Sequence, residues 1–166
     1  MKLYMVNYKN FKSMAISDDG KKFIVFSLSK NLPEYLNSIE NFLDKKNNDY
    51  LEITNFLKTQ EIKPVDIEDK DILPPISRPK QNIMCMGLNY EDHIKESEKV
   101  FLKDIKRPKH PIIFTKSTLS INAPFGDIEM RDEVSNELDW ESELAVIIGK
   151  SGIRINKKNA YDHIFG

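Results

Sequence analysis

Trp140-Glu141-Ser142-Glu143-Leu144-Ala145-Val146-Ile147-Ile148-Gly149-Lys150 is the stretch that decides how the second half of the chain is read. Two glutamates, two positions apart, open a run of β-branched and aliphatic residues. Such a run predicts a buried strand over 143–149. Side chains alternate along a strand, so Glu141 and Glu143 would leave the same face. Two adjacent carboxylates at the mouth of an apolar strand repel one another and lose water. A hard divalent cation with oxygen ligands, Mg²⁺, Mn²⁺ or Ca²⁺, would relieve both costs. The spacing by itself equally fits two solvated acids at a strand end, because surface carboxylates are common.

About fifty residues upstream lies Met86-Gly87-Leu88-Asn89-Tyr90-Glu91-Asp92-His93-Ile94-Lys95-Glu96. Ile83-Met84-Cys85-Met86 reads as a short buried strand, and Gly87 allows a tight turn or a close backbone approach. Residues 90–99 have the composition of a short polar helix with Asn89 as its N-cap. His93 and Glu96, three apart, would then share a helix face. A carboxylate beside an imidazole raises its basicity and fixes its tautomer, an arrangement that activates water. An ordinary surface ion pair has the same spacing.

Taken in order, three segments resemble the fumarylacetoacetate hydrolase family. They are Gly87-Leu88-Asn89-Tyr90-x-x-His93-x-x-Glu96, Pro111-Ile112-Ile113-Phe114-Thr115-Lys116, and Leu138-Asp139-Trp140-Glu141-Ser142-Glu143-Leu144 followed by Val146-Ile147-Ile148-Gly149. The resemblance covers residues 72–166, and Ala160-Tyr161-Asp162-His163-Ile164-Phe165-Gly166 is similar to a family helix that precedes a Gly-Tyr turn. It implies an α+β protein, with a small N-terminal β-hairpin-plus-helices domain followed by the first part of a β-rich catalytic domain. It also implies that Glu141 and Glu143 hold Mg²⁺ (or Mn²⁺ or Ca²⁺), which chelates a 2-oxo or 1,3-dicarbonyl acid and acts as a Lewis acid. His93, oriented by Glu96, would deprotonate water or substrate, and Lys116 would stabilise an enolate or oxyanion. Hydrolysis, decarboxylation and isomerisation of such acids all occur in the family, and the residues here do not choose among them. A homodimeric full-length form is implied as well. The family's third metal ligand is an aspartate on a strand beyond the Gly-Tyr turn. The sequence reaches only Gly166. The resemblance therefore implies a C-terminally truncated catalytic domain, inactive alone.

Composition sets bounds. The chain has 166 residues, 31% charged, with a formal charge of −1, so wholesale disorder and an electrostatic case for nucleic acid both fail. A single cysteine, Cys85, excludes an intrachain disulfide and a cysteine-rich zinc site, and its place in an apolar strand makes it a core residue rather than a nucleophile. No apolar run reaches membrane-spanning length, and Met1-Lys2-Leu3-Tyr4-Met5-Val6-Asn7-Tyr8 lacks a signal-peptide core. A cytoplasmic protein with a small-molecule substrate and no membrane partner is the expectation.

The first seventy residues read as a separate unit. Strands are predicted at 3–8, 13–17 and 22–28, the last two joined by the turn Asp18-Asp19-Gly20. Leu32, Tyr35, Leu36, Ile39, Phe42 and Leu43 predict one helix, capped by Asn31, with its apolar stripe in the core. Lys45 to Asp49 would break it, and Leu51, Ile53, Phe56 and Leu57 predict a second. The proline-rich run Ile72-Leu73-Pro74-Pro75-Ile76-Ser77-Arg78-Pro79-Lys80 favours extended chain and marks a linker. The domains are accordingly 1–71 and 72–166.

Residues 99–111, basic and between the motifs, read as a solvated loop or as a lid rooted at His93 and Glu96. His110 and His163 are expected at the surface. A short, non-catalytic binding or assembly protein of the same fold is the alternative to the enzyme.

Overall fold

The alternating apolar residues at the start of the chain form the strands they predict. In the computed structural model, which describes residues 1–45, 49–92, 94–95 and 108–166, β1 (Lys2–Tyr8) and β2 (Phe11–Ser17) make a tight antiparallel hairpin. Their register runs from Lys2↔Ser17 to Tyr8↔Phe11. Lys9 and Asn10 both take the left-handed conformation, with φ of 51° and 69°. Two successive positive φ angles match the right-handed twist of the flanking strands, and asparagine tolerates that region well. β3 (Lys22–Val25) pairs with β2, β4 (Val65–Asp66) with β3, and β5 (Ile72–Leu73) with β1. The sheet is five-stranded and antiparallel, in the order β4-β3-β2-β1-β5. One stretch, Val65 to Leu73, thus supplies the strand at each edge.

This register gathers Val6, Ala15, Phe23, Val25 and Ile72 into a buried cluster, with Tyr4, Tyr8, Val65 and Ile67 packed around it. Tyr4 meets Phe23 edge-on at 5.1 Å between ring centroids, a favoured aromatic geometry.

The β2–β3 turn is held by Asp19. Its Oδ1 accepts the amide protons of Lys21 at 2.8 Å and Lys22 at 3.2 Å, and the Ser17 hydroxyl at 3.1 Å. Those amides, Lys21 first, hold the Asp19 carboxyl below its usual range. A lowered native pKa stabilises the fold above the unfolded-state value of about 3.9, and that contribution fades as pH falls through the native value. Asp19→Ala is therefore expected to lower the melting temperature at pH 7, and the gap from the parent should narrow below pH 4. A gap independent of pH would show that the carboxylate charge is irrelevant to the turn.

Two expectations for this region need correction. The strand expected over 22–28 stops at Val25, and Phe26–Leu28 form a 3-10 turn. The Ser27 amide donates to the Ser13 hydroxyl at 2.9 Å, which diverts it from a ladder. The single helix expected from Leu32 to Leu43 is split into a 3-10 turn, Glu34–Leu36, and α1 (Ile39–Asp44). Ser38 is extended between them, and its hydroxyl accepts the Asn41 amide at 3.0 Å, so it starts a new helix. Asn31 is no cap: its φ is 54°, in the left-handed region.

The second helix forms as α2 (Tyr50–Lys58), with the Asp49 carboxylate accepting the Leu51 amide at 2.8 Å. Lys45 and Glu52 pair across the connection between the helices. The apolar stripe is core: Leu36, Ile39, Phe42 and Ile53 are buried. Phe42 lies 6.4 Å from the Tyr35 ring and 5.7 Å from Phe165, so a residue near the far end of the sequence completes this core.

The described chain divides into two compact units, residues 1–75 with 123–166 and residues 76–122. The second holds β6 (Ile83–Gly87) and β7 (Ile112–Lys116), paired antiparallel from Ile83↔Lys116 to Gly87↔Ile112. β6 forms where the apolar run Ile83–Met86 predicts a strand, but it is not the buried strand expected, since Met84 and Met86 are exposed; β7 is exposed along its whole length.

In the first unit the strand expected over 143–149 does not form. Residues 139–147 carry no regular structure, and pairing is limited to a bridge between Ile148 and Ile164. A strand needs a facing ladder, and the segment 163–166 supplies one only from Ile147 onward. There the Ile147 amide donates to the Gly166 carbonyl at 2.7 Å, Phe165 to Ile147 at 2.8 Å, and Gly149 to His163 at 2.9 Å. The helix expected over 160–166 is instead a 3-10 helix, Lys157–His163, which ends where the chain turns extended to make this ladder. With seven strands, α1, α2 and several 3-10 turns among the described residues, the architecture is α+β.

Candidate functional site

The Gly87-Leu88-Asn89-Tyr90 segment leaves β6 at its pairing end. A Cβ on Gly87 would sit 3.2 Å from Ile112 Cγ2, tighter than ordinary contact, so glycine lets β7 approach here. Leu88 follows with φ of 51°, an uncommon conformation for a side-chain-bearing residue. Met86 to Asn89 and Pro108 to Ile112 line a shallow cavity of about 170 Å³. His110 is among its lining residues and is exposed, as expected. Beyond it Glu91, Asp92, Ile94 and Lys95 are helical, and the Ile94 amide donates to the Tyr90 carbonyl at 3.2 Å. His93, Glu96 and most of the expected lid, residues 99–107, lie outside the described residues. Lys116 is the exposed final residue of β7, in the unit formed by residues 76–122. Cys85 is half-buried within β6.

Glu141 and Glu143 lie on one exposed segment of the other unit, beside Trp140 and Leu144, which are 85% and 82% exposed. The Trp140 amide donates to the Asp139 carboxylate at 2.8 Å. The common face assigned to the two glutamates assumed a strand, and without one their alternation is not imposed by pleating. Their donor set is nevertheless the right one for a hard cation. Two carboxylates supply part of the six to eight oxygens that Ca²⁺ takes, or the one or two that Mg²⁺ takes beside water. Among the described residues no group of three or more His, Cys, Asp or Glu side chains could hold a metal ion.

Sequence reasoning missed the contact that anchors the end of this segment. His163, expected as a surface residue, is half-buried, and its Nδ1 lies 2.8 Å from the Lys150 carbonyl oxygen. No pattern in the sequence marks that pair, because it depends on residues 163–166 running back along 147–150. Among the described residues no helix is long and apolar enough to cross a membrane.

Comparison with known proteins places these segments in context. The family described as fumarylacetoacetate (FAA) hydrolase C-terminal matches residues 82–166, half of the chain and the part that holds all three motifs. An oxaloacetate tautomerase of Bacillus subtilis is 46% identical over 92 residues, which are 55% of this chain and 29% of that protein. A human mitochondrial oxaloacetate tautomerase is 42% identical over 94 residues, 57% of this chain and 27% of its own length. The matched part is thus less than a third of either relative. Among solved structures, a fumarylacetoacetate hydrolase from the psychrophile Exiguobacterium antarcticum superposes with a TM-score of 0.69 at 26% identity. That alignment covers 100% of this chain and 53% of the other. With the motifs, the α+β architecture and the family match in agreement, the chain belongs to the fumarylacetoacetate hydrolase family, a family of enzymes.

Proposed function

We propose that this chain carries part of a divalent-metal-dependent enzyme that acts on a small 2-oxo or 1,3-dicarbonyl acid, with oxaloacetate tautomerisation as the leading reaction. The observation that carries the reading is the 46% identity to a protein named for that activity. The family match, which spans Gly87 through Glu143, supports it. Residues 1–71 would form a small N-terminal domain, and residues 72–166 would contribute one part of the catalytic domain.

Glu141 and Glu143 would supply two oxygen ligands to Mg²⁺, Mn²⁺ or Ca²⁺. When bound, such an ion polarises carbonyl oxygens as a Lewis acid. His93, held by Glu96, would move the proton between carbon and oxygen that separates keto from enol forms. The Lys116 ammonium would balance the negative charge that builds on the substrate oxygen. A homodimeric, cytoplasmic full-length form belongs to the same reading.

The 166-residue chain alone should show negligible turnover, since the relatives it matches are more than three times the matched length. A chimera in which residues 82–166 replace the matching segment of the Bacillus subtilis relative tests the proposal. Oxaloacetate keto–enol exchange, followed by ultraviolet absorbance with and without Mg²⁺ or Mn²⁺, should proceed in the chimera only with the ion. A folded chimera without tautomerase activity would count against oxaloacetate. Strong turnover by the short chain would overturn the view that it is only part of the machinery.

A further inference from the structure

His163 grips Lys150 twice. Its carbonyl accepts the Gly149 and Lys150 amides at 2.9 Å and 3.3 Å, and its ring Nδ1 meets the Lys150 carbonyl at 2.8 Å. A carbonyl oxygen has no proton to give, so Nδ1 must be the donor. The neutral ring is thereby fixed in its Nδ1–H tautomer, with Nε2 left as an acceptor. Gly152 makes room for this. A Cβ there would fall 2.7 Å from His163 Cε1 and 2.6 Å from Ile155 Cδ1, distances at which the imidazole must move. Ile147 and Phe165 complete the ladder through the Ile147–Gly166 and Phe165–Ile147 bonds. Glu143 lies four residues upstream of Ile147, on the chain that enters this ladder.

We propose that His163 is a positioning residue: its ring clamps the Lys150 carbonyl and fixes the register in which residues 147–150 meet residues 163–166, and so the point at which the chain carrying Glu141 and Glu143 enters that ladder. The significance for cation binding rests on the reading of Glu141 and Glu143 as ligands. The ring acts at a distance, through the backbone, and touches neither carboxylate. A one-residue slip of the ladder would reverse the direction of every side chain along it. The clamp therefore sets the place from which the segment with the two carboxylates departs.

The test uses the full 166-residue chain. Nitrogen NMR of the neutral imidazole should show a protonated Nδ1 and an unprotonated Nε2. Amide exchange at Gly149 and Lys150 should quicken about five- to tenfold in His163→Leu, the loss of one hydrogen bond. Gly152→Ala should do the same while keeping the histidine. His163→Asn, whose side-chain amide can present a donor near the position of Nδ1, should restore much of the protection. Ala15 amide protection, deep in the sheet, should stay constant throughout and report that the fold is intact. Mn²⁺ titration should show dissociation constants raised about five- to tenfold in the Leu and Ala variants, with recovery in Asn.

A proton on Nε2 instead of Nδ1, or unchanged exchange in His163→Leu, would overturn the clamp. Faster exchange with unchanged Mn²⁺ affinity would overturn its role in positioning the carboxylates. Mn²⁺ binding that survives combined Glu141→Gln and Glu143→Gln would remove the metal reading, while the tautomer and exchange rates still decide the clamp.

Discussion

His93→Ala in the active chimera is expected to cut oxaloacetate turnover about 10²–10⁴-fold, the usual contribution of a general base, while cation affinity stays unchanged. Glu141→Ala and Glu143→Ala should differ from it in losing cation binding, and turnover with it. The distinction follows from the proposed roles. A carboxylate ligand removes both charge and a fixed oxygen from a hard ion, and two carboxylates leave little redundancy. An imidazole that only transfers a proton leaves the ion's affinity untouched. Calorimetric titration with Mn²⁺, set beside the absorbance assay, separates the two classes. Lost cation affinity in His93→Ala would move that residue into the ligand set. Turnover indifferent to Glu141→Ala would sink the metal assignment.

Phe42→Ala should produce the largest change in stability, about 3–5 kcal/mol. The ring is fully buried and lies against Tyr35 and Phe165, so truncation leaves a cavity that helix and C-terminal segment must both face. Marginal domains have about 5–15 kcal/mol in total, so this loss should move the urea midpoint sharply downward. Chemical denaturation monitored by circular dichroism measures it. Phe165→Ala should show part of the same loss, because it removes one face of that packing. A change below about 1 kcal/mol for Phe42→Ala would mean that the site collapses around the missing ring.

The sequence reveals most where local rules suffice. β1, β2, the turn at Asp18-Asp19-Gly20, α2 and β6 follow from alternation, turn residues and apolar runs, and each appears close to its expected bounds. Reading failed where a side chain competed with the backbone. Ser38 and Ser13 redirect amides, so a long helix and a long strand were each cut short. It failed again at 143–149, where the apolar run is plain but pairing depends on a distant segment. The candidate chemistry shows the same divide. Glu141, Glu143 and Lys116 are visible as motif positions, yet whether carboxylates alternate on a pleat is a property of the ladder, not of the spacing. His163 was unreadable for the same reason: nothing local links it to Lys150.

The stretch from Val65 to Leu73, which lays β4 on one side of the sheet and β5 on the other, also sets a schedule for synthesis. By the time Val25 has cleared the ribosome exit tunnel, β1 to β3 can pair, but both outer rows of amides and carbonyls are still bare. About forty residues more must be added before Val65 arrives, which takes about 2–8 s at typical translation speeds. For those seconds the nascent sheet offers two templates to any neighbouring strand on a crowded polysome. A single late segment then closes both at nearly the same moment. Slow translation while those residues emerge would lengthen the vulnerable interval, and fast translation would shorten it, with no change to the finished protein.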